Sequence, residues 1–140
     1  MILSISGILS WAALSSGSFI GFLIGVILLI FTVLITYQIL FISPLINKSA
    51  DLIKLGRYDE ALKVCDKVLK RNNYFDAWNN KGIALKNLGL YEEALKAYDE
   101  AMKKRDKEVI WLNKGFTLDK IGRNDEASEC YKRASELKKK

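Results

Sequence analysis

Gly56, Gly89 and Gly122 stand 33 residues apart, and Ala61, Ala94 and Ala127 keep the same spacing. That offset also links Leu52, Leu85 and Leu118, then Cys65, Tyr98 and Tyr131, and it joins Trp78 to Trp111. Asn47, Asn80 and Asn113 obey it too, each followed by a lysine. A period of this size marks stacked supersecondary units, because one unit cannot bury its apolar face without a neighbour. Within each unit the apolar spacing is helical, not alternating. The expected fold is therefore all-α, an α-solenoid of antiparallel helix pairs. In the second unit, helix A is expected from about Phe75 to Leu88, a break at Gly89, and helix B from about Tyr91 to Lys104.

The small residues in the repeat have a steric meaning. Gly82 and Gly115 let helix B cross close to helix A, and Ala94, Ala101, Ala127 and Ala134 do the same from the other side. The tryptophans are expected to fill the remaining volume, so that Trp78→Ala costs about 3 to 5 kcal/mol. The third unit turns polar where the others are apolar: Leu62 and Leu95 give way to Ser128, and Leu69 and Met102 to Ser135. A terminal repeat needs such a face, which favours a solenoid that ends at residue 140. Acid pairs at the helix starts, Asp59 with Glu60 and Glu92 with Glu93, complement the helix dipole.

Composition divides the chain in two. No charged side chain precedes Lys48, so all 22 Lys plus Arg, all 16 Asp plus Glu and the net charge of +6 belong to the repeats. From Phe19 to Ile42 the sequence is almost unbroken Ile, Leu, Val and Phe, long enough as a helix to cross a hydrocarbon core of about 30 Å. Residues 1–42 are thus expected to form a hydrophobic membrane anchor. Residues 1–14 are apolar as well, and they are compatible with a hairpin arm or an interfacial helix as with a single-pass anchor. A cleaved signal peptide is disfavoured because no basic region opens the chain. Gly17, Gly21 and Gly25 recur every four residues and form a candidate packing face for another helix, from this chain, another copy or a partner. Lys48, Lys54 and Arg57 follow the anchor closely, which places the repeats in the cytoplasm. Ser43 suits a helix N-cap and Pro44 a first helical turn, so a new helix is expected there, with no linker between anchor and repeats.

In order and spacing, Trp78, Gly82, Leu85, Gly89, Tyr91, Ala94, Tyr98 and Ala101 resemble the tetratricopeptide-repeat signature. Trp111, Gly115, Leu118, Gly122, Ala127, Tyr131 and Ala134 repeat it, and Leu45, Ser49, Leu52, Gly56, Tyr58, Ala61, Cys65 and Val68 give a degenerate copy. The resemblance implies three repeats, at about 43–74, 75–107 and 108–140, forming a 43–140 repeat domain. The family's usual proline between units is absent, with Asn73 and Asp106 in its place, so tighter inter-repeat turns are expected. Asn124 replaces the tyrosine that opens the other B helices, which predicts a looser third hairpin.

The resemblance also implies a ligand site. In this family the A helices line a concave groove for a peptide or short helix of a partner protein. By spacing, the groove candidates are Asn47, Asn79, Asn80, Ile83, Lys86, Asn87, Leu112, Asn113, Phe116 and Lys120. The repeated asparagines can bind a peptide backbone without reading its sequence. Ile83 and Phe116, flanked by Lys54, Lys86 and Lys120, suit a partner of mixed apolar and acidic character, whereas Val109 stands where a carboxylate clamp would need a base.

Other chemistry is absent. With no histidine, no phosphate-cradling glycine loop and no metal-ligand cluster, the chain is expected to be no enzyme and to need no cofactor or metal. Cys65 and Cys130 lack a paired spacing and are expected to fill helix interfaces. Acids and bases interleave along the helices, so the short basic clusters at 103–105 and 138–140 read as solvated surface and no nucleic-acid partner is expected. The expected role is a membrane-anchored adaptor or scaffold for a partner protein. The alternative is a structural subunit of a membrane complex, recognised through the glycine-patterned segment.

Overall fold

The computed structural model of the chain describes residues 19–71 and 73–139. Among these, every regular element is helical. Helix α1 covers Phe19–Tyr37, and a π-helical turn over Gln38–Ile42 leads into α2, Ser43–Lys54. Then follow α3, Tyr58–Leu69; α4, Phe75–Asn87; α5, Tyr91–Lys104; α6, Glu108–Lys120; and α7, Asn124–Lys138. By their contacts the residues divide into two compact units, one ending at Phe41 and the other beginning at Ile42.

In the first unit, α1 is apolar on all sides. The best 18-residue window of the helix that contains it has a mean hydropathy of 2.7 and no buried residue, so the helix is long and apolar enough to cross a membrane. Its threonine hydroxyls are satisfied by its own backbone: Thr32 donates to Leu29 O at 2.8 Å and Thr36 to Val33 O at 2.9 Å. That is what a helix in hydrocarbon requires of its polar groups. A methyl group at Gly25 would meet open space. Gly21 lies one turn earlier, while Gly17 and the apolar residues 1–14 fall outside the described residues.

The second unit is three helical hairpins, α2 with α3, α4 with α5, and α6 with α7, so the helix pairs expected from the period of 33 are present. Each A helix stops in the same way. At Gly89 φ is +79°, Leu90 N–H donates to Leu85 O at 3.0 Å, and Gly89 N–H to Lys86 O at 3.1 Å. This is a Schellman ending, and its left-handed residue favours glycine. Gly56 and Gly122 repeat it at φ +72° and +77°.

Packing within a hairpin turns on one pair. A Cβ built on Gly82 would lie 2.4 Å from Tyr98 Cε1, and one on Gly115 would lie 2.6 Å from Tyr131 Cε1. Each tyrosine ring therefore occupies the space a side chain would take. The first hairpin solves the same problem with Ser49 against Cys65, both buried, a modest side chain facing another. Ala61, Ala94, Ala101 and Ala127 are fully buried, consistent with close helix approach. Both cysteines are buried and unpaired, as their spacing suggested.

Along the stack, α2 packs on α4 and α4 on α6, whereas no comparable contact joins α3 to α5 or α5 to α7. The A helices thus crowd together and form the concave side. Asn80 Nδ2 donates to Ser49 Oγ at 2.8 Å, and Asn113 Nδ2 to Asn79 Oδ1 at 3.0 Å, so amides stitch each A helix to the previous one. Ion pairs repeat the pattern: Lys81 with Asp66 and Lys114 with Asp99, both at 2.6 Å.

Four local expectations need correction. Ser43 does not cap a new helix, since the cap position falls on Ile42, which is itself helical, and no side chain caps it. Pro44 removes one backbone donor and crowds the preceding turn, and the π-helical widening over Gln38–Ile42 accommodates it without a break. Trp78 is only half-buried, its indole N–H donating to Asn73 Oδ1, as Trp111 does to Asp106 Oδ1. The residues in the place of the family's proline thus anchor the tryptophans. The link 105–107 is tight, but 70–74 is longer because α3 stops early, at Leu69. The third hairpin packs as extensively as the second, and the first is the sparser one. Its Ser49 and Cys65 provide less contact than a tyrosine over glycine.

Candidate binding groove

On the concave side, the C-terminal ends of α4 and α6 and the start of α5 enclose an open groove of about 670 Å³. It is lined by Lys86, Asn87, Tyr91, Phe116, Asp119 and Lys120. Phe116 is 55% exposed, a large apolar surface left in contact with water. Its ring meets Tyr131 edge-on with centroids 5.6 Å apart, and the Tyr131 hydroxyl donates to Asp119 Oδ2. That chain of contacts holds the Phe116 ring. Desolvation, reinforced by the Asp119 carboxylate it serves, pushes the Tyr131 phenol up to about 12, so it stays a donor at neutral pH.

The cations face the same space. Partial burial lowers the Lys86 ammonium from its ordinary value, and repulsion from Lys120 lowers it further. An acidic group entering between them would offset the repulsion and favour the charged form of Lys86. The groove is thus an apolar platform flanked by two lysines and one carboxylate, Asp119, which accepts from the Tyr131 hydroxyl.

Of the ten groove candidates, Lys86, Asn87, Phe116 and Lys120 come together here. Ile83 instead packs against the core of the second hairpin. Asn80 and Asn113 spend their amide protons on the helix stack, and Asn79 accepts one of them. Leu112 is half-buried, and Asn47 is exposed on α2, away from this groove's lining. The Asn87 amide turns back to Ile83 O at 2.7 Å. Tyr91, expected only to open helix B, and Asp119 were not among the groove candidates. The available signal was the 33-residue offset, which sets Asp119 against Lys86 and Ile53 and so marks a charge reversal on one face.

No catalytic constellation accompanies the groove. The chain has no histidine, and among the described residues no group of three or more Cys, Asp or Glu could hold a metal ion.

Comparison with known proteins agrees with the repeat architecture. Solved structures of MamA AMB-1 align at 28% identity and TM-score 0.59, over 65% of this chain and 51% of that one, and in a second crystal form at 27% and 0.58, over 64% and 54%. MamA MSR-1 aligns at 26% identity and TM-score 0.61, over 65% of this chain and 53% of that one. The chain thus spans about half the length of the MamA chains it matches. No curated protein matches the sequence. Two profiles described as tetratricopeptide repeat match residues 48–108 and 109–140. With its repeated Gly–Tyr packing, Schellman endings and A-helix stack, the chain belongs to the tetratricopeptide-repeat family.

Proposed function

We propose that the chain is a membrane-anchored adaptor that holds a partner protein in the groove around Phe116. The observation that carries this reading is the exposed Phe116 between Lys86 and Lys120, which suits a partner segment combining an apolar side chain with an acidic one. Burial of the aromatic ring provides affinity, and the paired charges fix orientation. The anchor is α1, whose uniform apolarity and self-satisfied threonine hydroxyls suit hydrocarbon. Lys48, Lys54 and Arg57 follow it, and the positive-inside bias assigns the repeats to the cytoplasm.

The test is photocrosslinking of the full-length protein in its native membrane, with a benzophenone amino acid at Lys120. A discrete adduct is expected, and it should vanish when Phe116→Glu is added. An adduct unchanged by Phe116→Glu would remove the groove reading. Charging Ile83 is a poorer test, because its packing against the second hairpin would destabilise the fold.

The open face at Gly25 favours one second reading, a structural subunit recognised through its apolar helix. Replacing residues 1–42 with an unrelated membrane helix separates the two. The adaptor keeps its adduct, and the subunit loses it.

A further inference from the structure

The short basic clusters that the sequence scatters along the chain are gathered by the fold at one end of the repeat unit. Antiparallel hairpins with parallel A helices place the starts of α2, α4 and α6 and the ends of α3, α5 and α7 together. At that end lie Lys70 and Arg71, then Lys103, Lys104, Arg105 and Lys107, then Lys138 and Lys139, all exposed. Arg105 and Lys107 both lie over the Phe75 ring at 5.2 Å, which shows the second link folded against the start of α4. Among the described residues no acid forms an ion pair with Lys70, Arg71, Lys104, Lys138 or Lys139. The acids of this end are fewer: Asp106 and Glu136 both bind Arg133, Glu100 binds Lys103, Asp76 faces Lys107 and Arg105, and Glu108 opens α6.

The opposite end is closer to neutral, because the A helices close there on Lys54, Lys86 and Lys120 while the B helices open on acids. There each B helix opens on an acid pair, Asp59 with Glu60, Glu92 with Glu93, and Asp125 with Glu126. Its arginines are neutralised locally, Arg57 by Glu60 and Arg123 by Glu126, both at 2.6 Å. The repeat unit is therefore polarised along its helix axes, which interleaved charge in the linear sequence conceals.

We propose that this basic end docks on the anionic phospholipid surface of the membrane that α1 enters. Three observations favour that partner. The cations are long, exposed and spread over three separate segments, which suits a diffuse layer of phosphate and carboxylate headgroups. The basic end is where α2 begins, so the chain enters the repeat unit there directly from the apolar segment. The opposite end, where lysines at the A-helix ends offset the acid pairs, has no such cationic excess. Docking would hold the groove at a set height above the bilayer and would weaken with salt, because exposed charges are screened within about 8 Å at physiological ionic strength. This inference rests on the anchor reading only for the membrane's proximity.

The test reconstitutes the full-length protein into vesicles of phosphatidylcholine, alone or with 30% phosphatidylserine (roughly the anionic fraction that gives a cytoplasmic leaflet its surface potential). Trypsin is added from outside. Cleavage after Arg71, Lys103, Lys104, Arg105 and Lys107 is read by mass spectrometry against cleavage after Arg57 and Arg123 at the opposite end, which corrects for vesicle orientation. The expected result is about tenfold slower relative cleavage at the basic end in anionic vesicles, reversed by about 0.5 M salt as the screening length shrinks. The variant K70Q/K104Q/K138Q/K139Q keeps the remaining cleavage sites and should lose most of the protection, with its helical circular dichroism unchanged. Equal relative cleavage in the two lipids overturns the proposal. So does equal protection of the detergent-solubilised protein by duplex RNA, which would reassign the surface to nucleic acid. Flotation with neutral vesicles reads the anchor separately: floating without lipid-dependent protection sinks this inference alone, and floating only with anionic vesicles sinks the anchor alone.

Discussion

Substituting Gly82 by alanine tests the packing rule that shapes every hairpin. A Cβ at this position falls 2.4 Å from Tyr98 Cε1 and within 2.8 Å of two further ring atoms. The ring cannot swing aside, because Tyr98 is fully buried. Overpacking of a tight core costs about 1 to 3 kcal/mol, and the upper end applies where three ring atoms are struck. Alanine recovers about 1 kcal/mol of helix propensity over glycine, leaving a net loss of about 2 kcal/mol. Tyr98→Cys alone should lose about 3 kcal/mol, as large-to-small changes at aromatic core positions do. The first hairpin shows the alternative solution, Ser49 against Cys65, so G82S/Y98C transplants a pair already used in this chain. In the double variant the clash is gone, and the loss should stay near that of Tyr98→Cys instead of growing to about 5 kcal/mol. The coupling is then about 2 kcal/mol, within the range found for residues in contact. Urea unfolding of the full-length protein in detergent, followed by circular dichroism at constant m-value, measures Gly82→Ala together with Gly82→Ser, Tyr98→Cys and G82S/Y98C; the last three close the cycle, with Gly82→Ser expected to lose about as much as Gly82→Ala. Losses that add within about 0.5 kcal/mol would refute the pairing of these positions.

Tyr98 Oη is buried with only the Thr117 hydroxyl beside it and no well-formed hydrogen bond, so Tyr98→Phe should change stability by less than about 1 kcal/mol in the same urea assay. Gly89→Ala forces a Cβ into the left-handed region at φ +79° and should cost about 1 to 2 kcal/mol, although its Cβ meets open space, and Gly25→Ala should leave the repeat unit's unfolding unchanged. Burial raises the Cys65 thiol from 9.0 to about 11. The unfolded chain then gives up this proton first, so Cys65's contribution is intact below pH 9 and is lost as pH climbs from 9 to 11. Cys65→Ser, which removes the titration, should flatten that part of the pH profile, and an unchanged slope would count against the shift.

The repeat architecture was legible because its determinants are local and recur. Glycine at a left-handed helix end, glycine under a tyrosine ring and alanine at a crossing each act over a few ångströms, so the period of 33 displays them directly. What stayed hidden depended on contacts between repeats. Asn80 and Asn113 look like free amides in the sequence, and only the stacking of parallel A helices shows their protons taken up by Ser49 and Asn79. Trp78 looks like filler, yet its indole reaches into the preceding link to Asn73. The helix through Pro44 was missed for another reason. A proline after serine reads equally well as a helix start or as a residue tolerated behind a π-helical turn, and sequence spacing does not distinguish them.

The groove itself arises from two departures at one junction. Counting back 33 residues, the place of Lys86 is held by Ile53 and that of Phe116 by Ile83, and both isoleucines pack against neighbouring cores. Isoleucine at both positions closes the first junction, because two short branched side chains meet the helices below them. At the second junction the Lys86 ammonium cannot enter that apolar space and stays at the rim, and the larger Phe116 ring, propped edge-on by Tyr131, stands out from the stack. A repeat array needs no new fold to acquire a binding site. It needs one junction where the residues that elsewhere complete the packing are replaced by residues that cannot.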